Sequence, residues 1–568
     1  MNKPAVSDSV SASVSILGAR ASHRKITPTS IFAFLSLHIT FSHSIYAQLE
    51  LERLFPPTVQ HGVATTVNAV GKFPQWPVKI ECDFSELSVV CGEKAGEFKV
   101  TATETAVGVA WIRVHDSQSA SSLIPIAIEP VPTVLEAEPN ETLRAAQRVA
   151  CPVTVVGKLE KSGDVDVVGI ALHTGEQLVA SVTANTLFGS PMDAVLQLVD
   201  ARGLVVAQAE DDVGLDPQLH FESTKDGDFY LRLFCFPETP NGTIGFAGGA
   251  NFVYALRITT NAFVDHVFPL RSLSVEKLKP IAFGWNLPGD LALELKPATQ
   301  VAPATIHAAS ALGWQWLPEV PAEGWTFGSD EQTAAPEAAH DLPLLYWGHI
   351  LQAKQVDRLR VRVREGITYR AEINSREFGF KLDSVLRVLK ADLQTQITRN
   401  DDAGKKNFDA AVEFKAEKDE ELIIEISDLA DSGGLRHAYE LQIAALEPKV
   451  NLNVAADHFR VSIGKSLEIP IAIERAADYV QRLEISASGL PTGVAVEKIY
   501  SEPKGDSSKA VKLKLNAASD AMAFQGPIEL LFTPVDDKHL PVGNSLPIRH
   551  ALRPQVSLRH VWLSVAAD

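Results

Sequence analysis

The chain has 568 residues, too many for one hydrophobic core, and at ordinary domain sizes it divides into about three to five domains. Its 46% hydrophobic and 21% charged content exclude a disordered, collagen-like or multi-span membrane protein. A formal charge of −18 repels phosphate backbones and argues against a nucleic-acid partner, and 35 Gly and 33 Pro against only 3 Met point to a turn-rich, all-β chain.

At the N-terminus, Lys3, Arg20, Arg24 and Lys25 precede the apolar run Ile31 to Phe41, and Ile45, Tyr46 and Ala47 follow as a cleavage site. Residues 1–47 therefore read as a signal peptide, and the protein is expected to be secreted, periplasmic or on the cell surface. No later run is long and apolar enough to span a bilayer, so no transmembrane span is expected after cleavage. In an exported chain the four cysteines pair most economically as Cys82 with Cys91 and Cys151 with Cys235, each inside one domain. None has the C-x-x-C spacing of a zinc or thioredoxin-like site.

Further along, Val168, Ile170 and Leu172 alternate with other residues, as do Leu467, Ile469, Ile471 and Ile473, and Val511, Leu513 and Leu515. Period two marks strands with one buried face. Asp200 to Gly203, Lys225 to Asp228 and Gly489 to Gly493 supply turns between such runs at sandwich-like spacing. Only short helices are expected, the best candidate being Thr142 to Val149.

The sequence also repeats itself. Asp193 to Val199 matches Asp383 to Leu389, Asp211 and Asp212 match Asp401 and Asp402, and Gly157, Asp166 and Gly175 match Gly348, Asp357 and Gly366. Ahead of each copy, Phe55, Pro56 and Gly71 match Phe268, Pro269 and Gly284. A small β-domain followed by a larger one thus occurs twice, and units this long are independent domains rather than solenoid turns. Residues 448–568 match neither unit and form a fifth β-domain. The fold class is all-β: tandem jelly-roll-like and Ig-like β-sandwiches in a beads-on-a-string arrangement.

Several residue groups are candidates for chemistry. Glu136, Glu138, Asn140 and Glu141 place four oxygen donors in six residues, and Asp164 and Asp166 add carboxylates on a turn entering a strand. Hard oxygen donors at this density suit Ca²⁺; the competing reading is a solvated acidic linker with Asn140 or Thr142 capping a helix. Asp211 with Asp212 and Asp401 with Asp402 read as turn residues, because neighbours on a strand point to opposite faces and form no acid–base dyad. The 16 His show no H-E-x-x-H pairing, and no G-x-S-x-G elbow occurs. His340, His349 and His437 are expected at the surface or at strand edges. Trp314, Trp316 and Trp325 would stack on a ligand if exposed and form core if buried, and Tyr230, Phe234 and Phe236 share one strand face.

Glu136 to Glu141, Gly163 to Asp166, Gly175, Gly189 to Asp193, Glu210 to Asp212 and Asp226 to Tyr230 resemble the bacterial pre-peptidase C-terminal domain. The likeness covers residues 133–260 closely and 336–447 more loosely. It implies a jelly-roll-like sandwich of the kind carried by secreted peptidases, with calcium held in some members by residues corresponding to Glu136, Glu138, Asn140, Glu141, Asp164 and Asp166. The second copy has Gln355 and Asp357 where the first has the Gly-Asp-Val-Asp turn, which puts a metal there in doubt. Residues 48–132 and 261–335 are similar to Ig-like or IPT-like domains, and 448–568 to Ig-like domains of the NEW3 type.

Together these features lead us to expect a non-catalytic exported protein that binds an extracellular protein or polysaccharide, with Ca²⁺ in the first large domain. Two alternatives stay open: an accessory or targeting subunit of a secreted peptidase, and a hydrolase whose active site is scattered through the sequence.

Overall fold

The strands form where the hydrophobic alternation places them. In Ser466–Ala476 and Ala510–Ala517 the burial alternates along the strand, with Ile469, Ile471, Ile473, Leu513 and Leu515 turned into the core. The computed structural model describes residues 48–567, apart from 237–244, 274–278, 322–323, 331–337, 405–406 and 477. The signal-peptide segment lies outside the described residues. Everything described here belongs to one unit, Ala47–Asp568, and none of its helices is long and apolar enough to cross a membrane.

The first large sandwich packs two sheets face to face. In one, the strands run in the order Gln218–Glu222, Gln177–Thr183, Val253–Thr259, Val153–Lys158, Thr133–Leu135. The other has Gln147–Arg148, Asp166–Leu172, Gly227–Cys235, Ala194–Asp200 and Val205–Ala209. The second large sandwich repeats this order: Ala411–Lys415, Thr368–Asn374, Ala438–Ala445, Leu344–His349, Thr326–Ser329 over Val356–Val363, Glu420–Asp428, Ser384–Lys390, Gln396–Asn400. Where the first copy has Gln147–Arg148 paired parallel to Asp166–Leu172, the second has an isolated parallel bridge, His340 to Val361. The strand Thr326–Ser329 pairs with Leu344–His349, so the second sandwich begins upstream of residue 336.

The smaller repeat is a bulged hairpin. Glu50–Phe55 pairs with Thr65–Lys72 and Phe263–Phe268 with Ile281–Trp285, each with a register shift one residue into the pairing. Gly71 and Gly284 sit beside that shift, where an added Cβ would lie 2.0 Å from the carbonyl oxygen of Glu50 or Phe263, so a side chain has no room at either position. In the last module, Lys449–Val454, Ser466–Ala476, Ala510–Ala517 and Val494–Glu497 face a second sheet built around Phe524–Val535 and His560–Ala566.

Two expectations are corrected. Residues 142–149 form turns that lead into Gln147–Arg148, while the first large sandwich makes its short α-helix at Asn185–Phe188. The carboxylate of Asp216 accepts the amides of Ala184, Asn185 and Thr186 there, and that anchor lay distant in sequence. The cysteines are the second correction, since all four are free thiols. Cys82 ends the strand Lys79–Cys82, whereas the Cys91 thiol bonds the carbonyl of Val78, just ahead of that strand. At about 3.3 Å per strand residue the two lie at opposite ends of it, beyond disulfide reach. Cys151 precedes Val153–Lys158, while Cys235 lies near the far end of that strand, where Ala247 bonds Cys235 and Gly249 bonds Leu159. Burial pushes the thiols of Cys82 and Cys151 up to about 11.

Segments far apart along the chain are bonded to one another by buried ion pairs. Arg257 meets Glu129 at 2.6 Å, Arg436 meets Asp265 at 3.0 Å, and Arg271 meets Glu440 at 2.7 Å. Arg113 in the first module binds Asp457 in the last at 2.6 Å, with both side chains almost fully buried. Lys381 and Asp212 link the two large sandwiches at 2.9 Å.

Candidate metal centre

The acidic segment and the Gly-Asp-Val-Asp turn meet because Thr133–Leu135 runs parallel to Val153–Lys158, beside the strand that carries Tyr254. This brings carboxylate oxygens of Glu136, Glu138 and Asp166 within 4.8 Å of one another. Ligands on opposite sides of a Ca²⁺ ion, each 2.3–2.6 Å away, stand about that far apart. Glu136 accepts the Lys158 amide at 2.7 Å, and the Tyr254 hydroxyl lies 2.9 Å from Glu136 and 2.7 Å from Asp166. Asp164 accepts the Glu160 amide at 2.5 Å, and Glu138 the Asn140 amide at 3.1 Å.

Asn140, Asp164 and Asp166 are buried, and each keeps one side-chain oxygen without a hydrogen-bond partner. Acceptors left this way inside a protein cost about 1–3 kcal/mol each. Burial pushes the Asp166 carboxyl far above the carboxylate range, and its hydrogen-bonded neighbour Glu136 pushes the same way. Burial also raises Glu136 and Glu138, with the charge of Asp164 adding to both. An all-oxygen set of converging acceptors that resists carrying its own negative charge fits a hard cation. Glu141 faces Lys161 at 3.6 Å.

Sequence reasoning missed Tyr254. Its signal was present, since Tyr254, Leu256 and Ile258 recur as Tyr439, Leu441 and Ile443. The tyrosine also explains a repeated glycine: a Cβ at Gly157 would stand 2.5 Å from the Tyr254 hydroxyl, and one at Gly348 would stand 2.5 Å from that of Tyr439.

The second copy keeps the frame and changes the charge. Tyr439 donates to Asp357 at 2.7 Å, and Asp330 accepts the His349 amide as Glu136 accepts that of Lys158. Gln355 occupies the turn and donates its amide to Asp357 at 2.8 Å and to the carbonyl of His349 at 2.8 Å. An amide N–H thus satisfies there what Asp166 leaves open.

The other candidates fall out as follows. Asp211 takes a left-handed turn conformation, φ 53°, and Asp212 pairs with Lys381, so the two do not form a dyad. His349 is buried rather than at the surface. Its Nε2 lies 2.8 Å from that of His266, whose Nδ1 is 2.6 Å from Asp265, in an aromatic surround that includes Phe268, Phe283 and Phe380. The hydroxyl of Ser432 is 2.9 Å from His437, but it donates to Asp428 at 2.6 Å, so the carboxylate binds the serine rather than orienting the histidine. Tyr230 and Phe234 are buried and Phe236 is exposed, while Trp314, Trp316 and Trp325 are half-buried.

No protein-family model matches the chain, and no curated protein does. Among solved structures, the pre-peptidase C-terminal domain of collagenase from Bacillus anthracis is 18% identical, covering 22% of this chain and 100% of that one at a TM-score of 0.16. The M60 catalytic domain with CBM51-1 and CBM51-2 domains from Clostridium perfringens ZmpB is 8% identical over 69% of this chain and 45% of that one, TM-score 0.15. Fibronectin(III)-like modules of Clostridium thermocellum CbhA are 10% identical over 41% and 92%, TM-score 0.12.

Proposed function

We propose that this chain is an exported, non-catalytic binding or scaffold protein of the cell surface or extracellular space, whose first large sandwich is stabilised by Ca²⁺. In this reading the two large sandwiches are pre-peptidase C-terminal-type modules, the small ones Ig-like or IPT-like, and the last NEW3-type. The observation that carries it is the converging oxygen set of Glu136, Glu138 and Asp166, with unpartnered buried oxygens on Asn140 and Asp164 in the same acidic segment and turn. These residues would hold the ion, which would supply charge balance that fixes the sandwich edge and no reaction chemistry. The amide of Gln355 makes a second ion unnecessary. Modules tied together by buried ion pairs present their surfaces in fixed relative positions, which suits multivalent binding of an extracellular protein or polysaccharide.

Calorimetric titration of the full chain with Ca²⁺ is expected to show one ion per chain, lost in Asp164→Ala and unchanged in Asp357→Ala. No heat, or loss in the second variant alone, retires the calcium site. Capture of cell-wall polysaccharide or secreted protein by the immobilised chain tests the binding role separately.

A further inference from the structure

The outer sheet of the second large sandwich carries arginines where the first carries small and apolar residues. Arg358, Arg360 and Arg362 alternate with Leu359, Val361 and Val363 along Val356–Val363, so the leucine and valines enter the core and the arginines face outward. At the corresponding positions the first sandwich has Val167, Gly169 and Ala171, and there Leu143, Ala146 and Phe246 pack against a cluster that includes Val167, Val195 and Phe234. Across the second sheet, Arg358, Glu425, Arg387 and Arg399 stand opposite one another on four adjacent strands. Glu425 is buried and accepts from Arg358 Nε and Arg387 Nη1, each at 2.7 Å. Arg387 and Arg399 are direct cross-strand neighbours, and like charges placed this way destabilise a sheet. Stability alone therefore does not account for the row.

These guanidiniums are open to solvent. The side chains of Arg358, Arg360, Arg387 and Arg399 are 38 to 53% exposed. Arg358 gives Glu425 only its Nε, and the Arg360 guanidinium makes no hydrogen bond among the described residues, with Glu421 3.9 Å away. Other carboxylates lie at the rim, where Arg362 meets Asp341 at 2.9 Å and Glu421 at 3.7 Å, and Arg399 meets Asp401 at 3.4 Å. The middle of the face thus sets four guanidiniums over one buried carboxylate, a positive patch on a chain of formal charge −18. A guanidinium fork matches the edge of a carboxylate, so an anion bearing that group is the complementary ligand. Val385, Leu389 and Ile423 on the same face are buried, so the surface offers charge without an apolar pocket of the kind that grips a peptide side chain.

We propose that this face binds an acidic polysaccharide whose sugars carry carboxylates, with Arg358, Arg360, Arg387 and Arg399 donating guanidinium N–H groups to them. The inference rests on the binding role proposed above and gives that role a face and a ligand class. Interferometry with the full chain immobilised and polygalacturonate as the probe is expected to show saturable binding that weakens at least about tenfold between about 50 and 200 mM salt. The fully methyl-esterified polymer keeps the sugar backbone and loses the charge, and is expected to bind at least about tenfold more weakly, as is poly-L-glutamate. Arg360→Gln combined with Arg399→Gln should weaken binding at least about tenfold while the melting temperature stays at or above that of the wild type, since the second change removes the repulsion at Arg387. Arg360→Gln alone, whose guanidinium bonds nothing, should weaken it at least about threefold, so the result does not depend on the double variant folding. Arg202→Gln, at an exposed turn of the first large sandwich, should bind like the wild type. The proposal is overturned if polygalacturonate does not bind saturably, if its methyl ester or poly-L-glutamate binds as tightly, if Arg360→Gln binds like the wild type, or if Arg202→Gln loses as much. Such a failure leaves the broader binding role to the capture experiment, which does not depend on this face.

Discussion

Asp166 carries a proton in the folded, ion-free protein over a pH range in which the unfolded chain has lost it, because burial and Glu136 raise its affinity for that proton. The folded state therefore binds more protons than the unfolded one above about pH 4, and stability from this group is lost as pH rises through neutral. Asp166→Asn removes that dependence. In chelator, its melting temperature is expected to exceed that of the wild type by an amount that grows from pH 5 to pH 8, while Ca²⁺ no longer raises it. A variant that melts below the wild type at pH 8 in chelator would contradict the assignment. At this scale the sequence was informative about donors and silent about partners. Glu136, Glu138 and Asp166 were legible as oxygen donors, but Tyr254 follows its acidic segment by more than a hundred residues and meets them only because its strand pairs with Val153–Lys158. His349 was misread because a lone histidine carries no sign of the His266 ring that meets it across a module junction.

Among the elements, strands were legible and short helical turns were not, because a strand's burial is written in period two whereas a single turn depends on a distant cap. Asp216 accepts three backbone amides at the start of Asn185–Phe188, and Asp409 accepts those of Ser375 and Arg376 ahead of Arg376–Phe378. Neither aspartate has a helical pattern near it to announce the role. Asp216→Ala strands these amides beneath a buried turn and is expected to lower stability by about 2–3 kcal/mol, read from urea unfolding of the first large sandwich. A change within about 0.5 kcal/mol would show that water replaces the carboxylate. The repeat itself survives at this level with its reasons visible: Gly157 and Gly348 make room for a tyrosine hydroxyl, and Asp166 and Asp357 receive it.

For the molecule as a whole, the junctions decide how independent the modules are. Arg113 and Asp457 are both almost fully buried and join modules at opposite ends of the described chain. Removing one partner leaves the other charge buried alone: Arg113→Met is expected to cost about 3–5 kcal/mol in denaturant unfolding, and Arg113→Met with Asp457→Leu together much less. Equal losses in the single and double variants would mean that packing, not charge, holds the junction. The sequence by itself determined an all-β chain of repeated sandwiches and the oxygen-rich character of one sandwich edge, because alternation, turns and ligand type are local properties of a few residues. Tertiary structure alone decided which carboxylates converge, that the cysteines stay apart, and which arginines gather on one sheet face. Each of these depends on strand pairing and module contact between residues far apart along the chain, and no local pattern encodes such distances.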